Sequence, residues 1–275
     1  MIDIPKIVFG GTEKLGVSLS DQAAGLFGLY YEILSEHAGR FNLTTVTDPQ
    51  GVAYTHFLDS LALLTAADFT NADVIDVGSG AGFPGVPIKI AMPSVRLTLL
   101  DATRKRVDFL SHLCTELGLE ARCVHARAEE ILHDAKLADG NDGKSDKNGE
   151  DRKNCENGED DKKCEKFREQ FDIAVSRAVA SLNVLCELCL PFVRVGGLFL
   201  AMKGVGSDGE ITQSLTAIEI LGGKFEKKID YTIPSANISE TDSENITHSV
   251  VVIRKIEPTP EKYPRRFAKI TKSPL

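Results

Sequence analysis

The feature that most constrains this chain is the ten-residue stretch Asp76-Val-Gly-Ser-Gly-Ala-Gly-Phe-Pro-Gly85, which overlaps the apolar run Ala72-Asp-Val-Ile-Asp-Val77. Glycines placed after a strand and before a helix let the backbone pass close to a ligand without interference from Cβ atoms. A short apolar run ending in such a turn reads as a buried parallel strand. The chain is therefore expected to build an α/β sheet whose first crossover faces a ligand.

Strand and helix signals alternate downstream. Residues 85–92 read as a helix, 95–100 as a strand, 105–117 as a helix and 121–125 as a strand. Residues 171–176 and 197–203 read as strands flanking a helix over 182–193. A helix over about 208–221 and strands near 225–232 and 248–255 complete the series. This alternation implies right-handed crossovers, hence a Rossmann-like, mostly parallel twisted sheet with helices on both faces. Upstream, Ala24, Phe27, Tyr31 and Leu34 mark a helix over 20–38, with Ser20 or Asp21 as N-cap and Gly39 as stop. Residues 40–49 read as a loop and 52–67 as a second helix. Residues 1–70 are thus expected to form a short helical extension packed on a core domain of residues 71–256.

Two segments depart from the alternation. Residues 134–169 hold 12 acidic and 9 basic residues and few apolar ones. Such a stretch cannot bury enough surface to offset the entropy of ordering, and it is expected to be a disordered insertion. Cys155 and Cys164, within it, lack the closely spaced pairs of a zinc site, and no metal is expected. Residues 257–275 read as a basic C-terminal tail; over 254–275, seven Lys/Arg face two Glu. Its charge fits a solvated tail or a phosphate-contacting arm equally well.

The formal net charge of −8 argues against a protein that coats nucleic acid by bulk charge, although local charge decides whether RNA is a substrate. Met1-Ile-Asp-Ile-Pro-Lys6 has no basic region followed by an apolar run. No apolar stretch reaches the roughly 18–20 residues of a membrane span. The six cysteines therefore have no secretory context, and a reduced, soluble, cytoplasmic and monomeric protein is expected, with no membrane partner.

Gly80-x-Gly82-x-x-Gly85 also satisfies the dinucleotide fingerprint, and register decides against that reading. The strand is expected to end at Val77, which makes the set Asp76-x-Gly78-x-Gly80-x-Gly82. An acidic residue just inside the strand end suits a cationic amino-acid ligand and repels a pyrophosphate. Pro84 and Pro87 lie where a phosphate-binding helix needs free N–H groups. Asp101, after the second strand, is placed to accept bonds from ribose hydroxyls. Arg127-Ala128-Glu129, after the third, offers a backbone amide and a small side chain to an adenine. Together these residues point to S-adenosyl-L-methionine, with Asp76, Gly78, Gly80 and Asp101 in its site.

The acceptor is read from what is missing. An exocyclic amine calls for an Asp/Asn-Pro-Pro-aromatic motif after the fourth strand, but Ser176-Arg177-Ala178 stands there. A pyrimidine C5 acceptor needs a cysteine nucleophile, and Cys186 and Cys189 fall mid-helix, where they read as core, as do Cys114 and Cys123. An acceptor with a free lone pair, such as guanine N7, needs neither device; positioning and electrostatics suffice. His56 and Asp59 lie three apart on one helix face, either a surface His–Asp pair or a wall of the substrate pocket. Lys203, at a strand end, either contacts a phosphate or is a solvated charge.

Phe41-Asn-Leu-Thr44, His56-x-x-Asp59-Ser60, the loop through Val86-Pro87, and Leu100-Asp101 with Lys105-Arg106 closely resemble the bacterial small-subunit rRNA guanine-N7 methyltransferases, the glucose-inhibited division B family. Arg127-Ala-Glu129, Ser176-Arg-Ala178, Lys203-Gly204 and Lys262-Tyr-Pro-Arg-Arg266 extend the resemblance over nearly all of the chain except about 134–169. It implies a class I S-adenosylmethionine-dependent methyltransferase that modifies N7 of one guanosine in the 530 loop of 16S rRNA, free or in the small ribosomal subunit. It also implies cofactor contacts at Gly78, Phe83, Ala128, Glu129 and Arg177. His56, Asp59 and Lys203 remain candidates for positioning the substrate. A methyltransferase of a small molecule or protein, or a non-catalytic assembly factor with the same fold, are the alternatives.

Overall fold

The structure is a computed structural model that describes residues 2–41, 43–137, 167–177, 180–204, 206–234 and 245–275. Helix α1 (Ile4–Leu15) opens the chain, with Asp3 capping its start by accepting the Lys6 N–H and left-handed Gly16 ending it. Sequence periodicity did not reveal this helix. Helix α2 (Asp21–Phe41) starts where expected, with the Ser20 hydroxyl accepting from the Ala23 N–H at 3.2 Å, but runs through Gly39. Glycine weakens a helix by only about 1 kcal/mol, less than the packing of this helix supplies.

The expected helix over 52–67 is a composite. Helix α3 (Pro49–Gly51) widens into a π-helical turn over Val52–Leu58, returns to α geometry in α4 (Asp59–Leu61) and tightens into a 3-10 turn over Ala62–Thr65. A wide turn of this kind commonly marks a functional site. Here it turns Phe57, Leu58 and Asp59 inward together.

The sheet follows the expected alternation: β1 (Asp73–Val77), β2 (Arg96–Asp101), β3 (Ala121–His125), β4 (Phe171–Arg177), β5 (Val193–Lys203), β6 (Gly223–Pro234) and β7 (Asn245–Lys255). Among the described residues it has seven strands in the order β3-β2-β1-β4-β5-β7-β6. The first five are parallel, and β7 runs antiparallel between β5 and β6. Helices α5 (Gly85–Ala91), α6 (Arg104–Glu116), α7 (Ala128–Leu137), α8 (Leu182–Cys189) and α9 (Asp208–Ile220) make the crossovers, and α10 (Phe267–Lys272) follows the sheet. Alternate residues of β1 feed the two faces: Val74 joins the core under α2 and α5, whereas Ile75 and Val77 join the core under α8. Strand order reverses between β1 and β4, which places the ligand crevice at the carboxyl ends of these strands.

Two expectations at the edges need correction. The insertion is narrower than 134–169: α7 continues to Leu137, and Phe167 is buried beneath the Arg122 guanidinium. The expected disorder of 138–166, with Cys155 and Cys164, lies outside the described residues. The C-terminal segment is not a solvated tail; it folds back onto the domain. Tyr263 and Ile270 are buried in it, Arg265 pairs with fully buried Glu187 at 2.6 Å, and Lys255 pairs with Glu169 at 3.2 Å. Its apolar anchors, spaced among the cations, dock it on α8. Cys114, Cys186 and Cys189 are buried as expected, and Cys123 is half-buried. Among the described residues, no helix is long and apolar enough to cross a membrane.

Candidate cofactor site and its surroundings

Strand β1 ends at Val77, so the turn begins at Gly78, as the register argument requires. Gly78, Gly80 and Gly82 have φ of 80°, 58° and 102°, the left-handed region that glycine enters without a Cβ penalty. The turn hangs from the end of β2, with the Gly78 and Ser79 N–H groups donating to Leu100 O at 2.8 and 3.2 Å. Tyr30, from α2, braces it from behind by donating to Ala81 O at 2.7 Å.

Asp76 lies fully buried beneath this turn. Its Oδ2 accepts from the Gly85 N–H at 2.9 Å, and its Oδ1 has no hydrogen-bond partner among the described residues. Gly85 is glycine for reasons of space: a Cβ there would stand 2.8 Å from Asp76 Oδ2 and Leu99 Cδ2. Burial pushes the Asp76 carboxyl up to about 7, against the lowering effect of the Gly85 N–H and of Arg177. An orphaned, buried carboxylate oxygen is costly unless a donor or positive charge approaches it.

A cavity of about 220 Å³ opens above the turn, and it brings together Gly78, Asp101, Ala128 and Glu129. Asp101 accepts from the Gly80 N–H at 2.9 Å and the Thr103 N–H at 2.8 Å, with Arg106 3.8 Å from Oδ2, and each of its oxygens retains lone-pair capacity. Glu129 is buried, which raises its carboxyl above the usual range. Leu100, Ala126, Leu185 and Leu188 give the cavity an apolar slot. Acceptors at one end, an apolar slot at the other and a glycine floor fit a nucleoside-bearing ligand with a cationic amino-acid end. Gly78 and Asp101 line the cavity, whereas Asp76 and Gly80 do not: Asp76 is buried beneath the turn on the Gly85 N–H, and the Gly80 N–H holds Asp101 in place.

Phe83 and Arg177 do not line that cavity. Phe83 is buried, with the Tyr30 ring stacked at 5.3 Å and the Arg177 guanidinium 4.8 Å from its centroid. Arg177 donates to Thr55 O at 3.0 Å and Asp59 Oδ2 at 3.2 Å, and its Nη2 lies 3.4 Å from His56 Nδ1. His56 and Asp59 are therefore not a surface pair. Asp59 is buried, and its Oδ1 accepts from Tyr231 Oη and His248 Nδ1, each at 2.7 Å. Burial alone would raise the Asp59 carboxyl; the bond from His248, the Arg177 charge and the bond from Tyr231 together hold it below the usual range. The same bond raises His248, whereas burial and Arg177 push His56 down to about 4, which keeps it neutral.

Lys203 corrects another expectation. It is largely buried, and its Nζ donates to Ala180 O and Glu210 Oε1 at 2.8 Å, so it ties β5 to α9. The cations that face open space are elsewhere. A cleft of about 990 Å³ beside the cofactor cavity, sharing Arg127, Glu129 and Phe267 with it, is lined by Lys262, Arg266 and Lys269. These three are exposed and enter no ion pair among the described residues. A separate groove of about 750 Å³ between α1, the π-helical turn and the end of β6 contains neither glycine-turn nor Asp101 chemistry. Of these cavities, the smaller one alone joins the glycine turn to Asp101.

Sequence reasoning missed Tyr231, His248 and Phe267. Tyr231 and His248 are directly paired in the β6–β7 register, so their shared partner becomes visible only once the strands are aligned. Phe267 belongs to a segment that composition marked as a tail.

The family described as GidB, rRNA small subunit methyltransferase G, matches residues 24–139 and 155–238. The ribosomal RNA small subunit methyltransferase G of Acetivibrio thermocellus is 38% identical over 275 residues, covering 100% of this chain and 98% of that protein. The protein of the same name from Alkaliphilus metalliredigens is 41% identical over 271 residues, covering 98% of each. The chain belongs to the rRNA small subunit methyltransferase G family. Among solved structures, one described by the conversion of a disulfide bond into a thioacetal group during echinomycin biosynthesis aligns with a TM-score of 0.50 at 13% identity. It covers 82% of this chain and 93% of that one, a likeness of fold alone. The match skips residues 140–154, within the charged insertion, and resumes before β4.

Proposed function

We propose that this chain transfers the methyl group of S-adenosyl-L-methionine to N7 of a guanine in the 530 loop of 16S rRNA, in the small ribosomal subunit or a precursor of it. Methylation of small-subunit rRNA is the activity that names the family. The observation that carries the reading further is the pairing of two cavities on one edge of the sheet. One has a glycine floor and the Asp101 carboxylate, and the other, beside Glu129 and Glu130, holds Lys262, Arg266 and Lys269, which enter no ion pair among the described residues, in a chain of net charge −8. Bound S-adenosylmethionine supplies an electrophilic methyl group on a positively charged sulfur.

The residues of the chain then have three tasks. Gly78, Asp101, Ala128 and Glu129 fix the nucleoside end, and Asp76 supplies negative charge beneath the turn. Phe83 and Arg177 act from behind the turn. Arg177 is clamped by Thr55 O and Asp59, so the end of β4 and the π-helical turn keep one geometry while the base is held in line. No general base is required, because N7 of guanine carries a free lone pair and no proton leaves before attack. The neutral state of His56 suits a place near the base, since an imidazolium beside Arg177 would oppose the positive charge that the base gains.

A monomer working in the cytoplasm, where small subunits are assembled, completes the proposal. Primer extension after borohydride–aniline cleavage tests it. The parent strain should show a stop in the 530 loop that a strain lacking the gene loses, and a stop retained in that strain would overturn the reading.

A further inference from the structure

The cofactor cavity has one wall that neither the glycine turn nor the strand ends supply. Phe267, the first residue of α10, lines it opposite residues drawn from about 80 to 190 positions upstream, and it is the one aromatic ring there among the described residues. Phe267 is 40% exposed, in a segment where Tyr263 and Ile270 are buried and Leu275 is partly buried. The exposure is not that of a frayed end. Glu187, at 0% exposure, receives the Arg265 backbone N–H at 2.7 Å and its guanidinium at 2.6 Å, and Ile270 is fully buried one turn later. The ring is thus held at the cavity by an anchor on each side. The Arg127 guanidinium, from the exit of β3, lies 5.7 Å from the ring centroid and joins the two sides of the rim.

We propose that Phe267 is the wall that covers the purine of the bound cofactor, which makes the C-terminal helix part of the cofactor site. This inference rests on reading the cavity as the S-adenosylmethionine site. Asp101 fixes the ribose end, so the base extends into the slot formed by Ala126, Ala128, Leu185 and Leu188. A flat, aromatic base in that slot meets a flat, aromatic, half-exposed ring. Contact removes apolar area on both from water and adds the aromatic term that favours offset or edge geometries. The other reading of an exposed phenylalanine is a scattered surface residue with no task.

Titration calorimetry with three ligands separates these readings. S-adenosylmethionine, S-adenosylhomocysteine and adenosine are titrated into the full chain and into the Phe267→Ala, Phe267→Leu and Phe267→Tyr variants. Phe267→Ala should weaken all three by about tenfold, Phe267→Leu by less, and Phe267→Tyr by no more than about twofold. Equal affinities in Phe267→Ala and the parent would overturn the proposal. So would a loss confined to S-adenosylmethionine with adenosine unaffected, because the ring would then not meet the purine. If Phe267→Ala folds poorly, Phe267→Leu decides: weaker binding of all three ligands at the parent's melting temperature supports the wall, and parent-like affinity overturns it. A parent chain that binds none of the three ligands overturns the cofactor reading itself, an outcome distinct from parent binding that Phe267→Ala leaves unchanged.

Discussion

Asp76 concentrates the electrostatics of the site in one side chain. Its carboxyl is fully buried and raised to about 7, with one oxygen on the Gly85 N–H and the other without a partner among the described residues. A folded value above the unfolded one means that burial favours the protonated form. The contribution of this group to ligand-free stability is present below about 4 and lost as pH rises through about 7. A cationic ligand shifts the balance the other way, because it stabilises the carboxylate. S-adenosylmethionine affinity should therefore rise as pH climbs through 7, by roughly tenfold between pH 6 and pH 8 for a group titrating near 7. Asp76→Asn keeps an acceptor for Gly85 and removes the charge, so its affinity should lack that rise. The ratio of parent to variant affinities at pH 6, 7 and 8 cancels any titration of the ligand itself, and a ratio constant with pH would contradict the role. The position of Asp76 was legible in the sequence because a strand end and a glycine turn fix it locally. The partners of Asp59 were not: Tyr231 and His248 reach it across more than 170 residues of chain, and no spacing rule encodes that approach.

At the scale of elements, the π-helical turn and the C-terminal segment are where tertiary contacts overrode local signals. Residues 52–67 have helical periodicity, which a widened turn shares with a regular helix, so the pattern could not distinguish them. Arg177 takes Thr55 O at 3.0 Å, and the hydroxyl of Ser60 takes His56 O at 2.5 Å, so side chains satisfy carbonyls along the composite segment. The C-terminal segment was misread for a different reason. Its cations are conspicuous in composition, whereas its anchors are single residues: Tyr263, Arg265 and Ile270. Glu187 is the partner that makes Arg265 an anchor rather than a surface charge. Glu187→Ala should destabilise the fold by about 3–5 kcal/mol, the cost of leaving one member of a buried ion pair alone. Urea unfolding measures it, and limited proteolysis should then cut near α10. A change below about 1 kcal/mol would mean that the pair is not what moors the segment.

At the scale of the whole molecule, the central fact is that charge is segregated. The chain carries −8 in total, yet Lys262, Arg266 and Lys269 stand exposed beside the cofactor cavity, on the edge of the sheet where the strand order reverses. The α/β alternation was legible from residue 72 onward, as was the cofactor turn, because both are written in local periodicity. The place of the basic cleft was not, because it depends on where the last twenty residues fold back. If that cleft tracks phosphates, replacing its three cations with Ala should weaken 16S rRNA binding at every salt concentration. The slope of log affinity against log salt should become shallower by up to about three, one for each lost contact, while S-adenosylmethionine affinity stays within about twofold. An unchanged slope would remove the cleft from the RNA path. The most direct test of the whole account is mass spectrometry of 16S rRNA after incubating unmodified small subunits with the purified chain and S-adenosylmethionine. One added methyl group at N7 of a guanine in the 530-loop fragment is the predicted result. Transfer to another atom or another part of the RNA, or transfer to protein with the RNA unmodified, would contradict it.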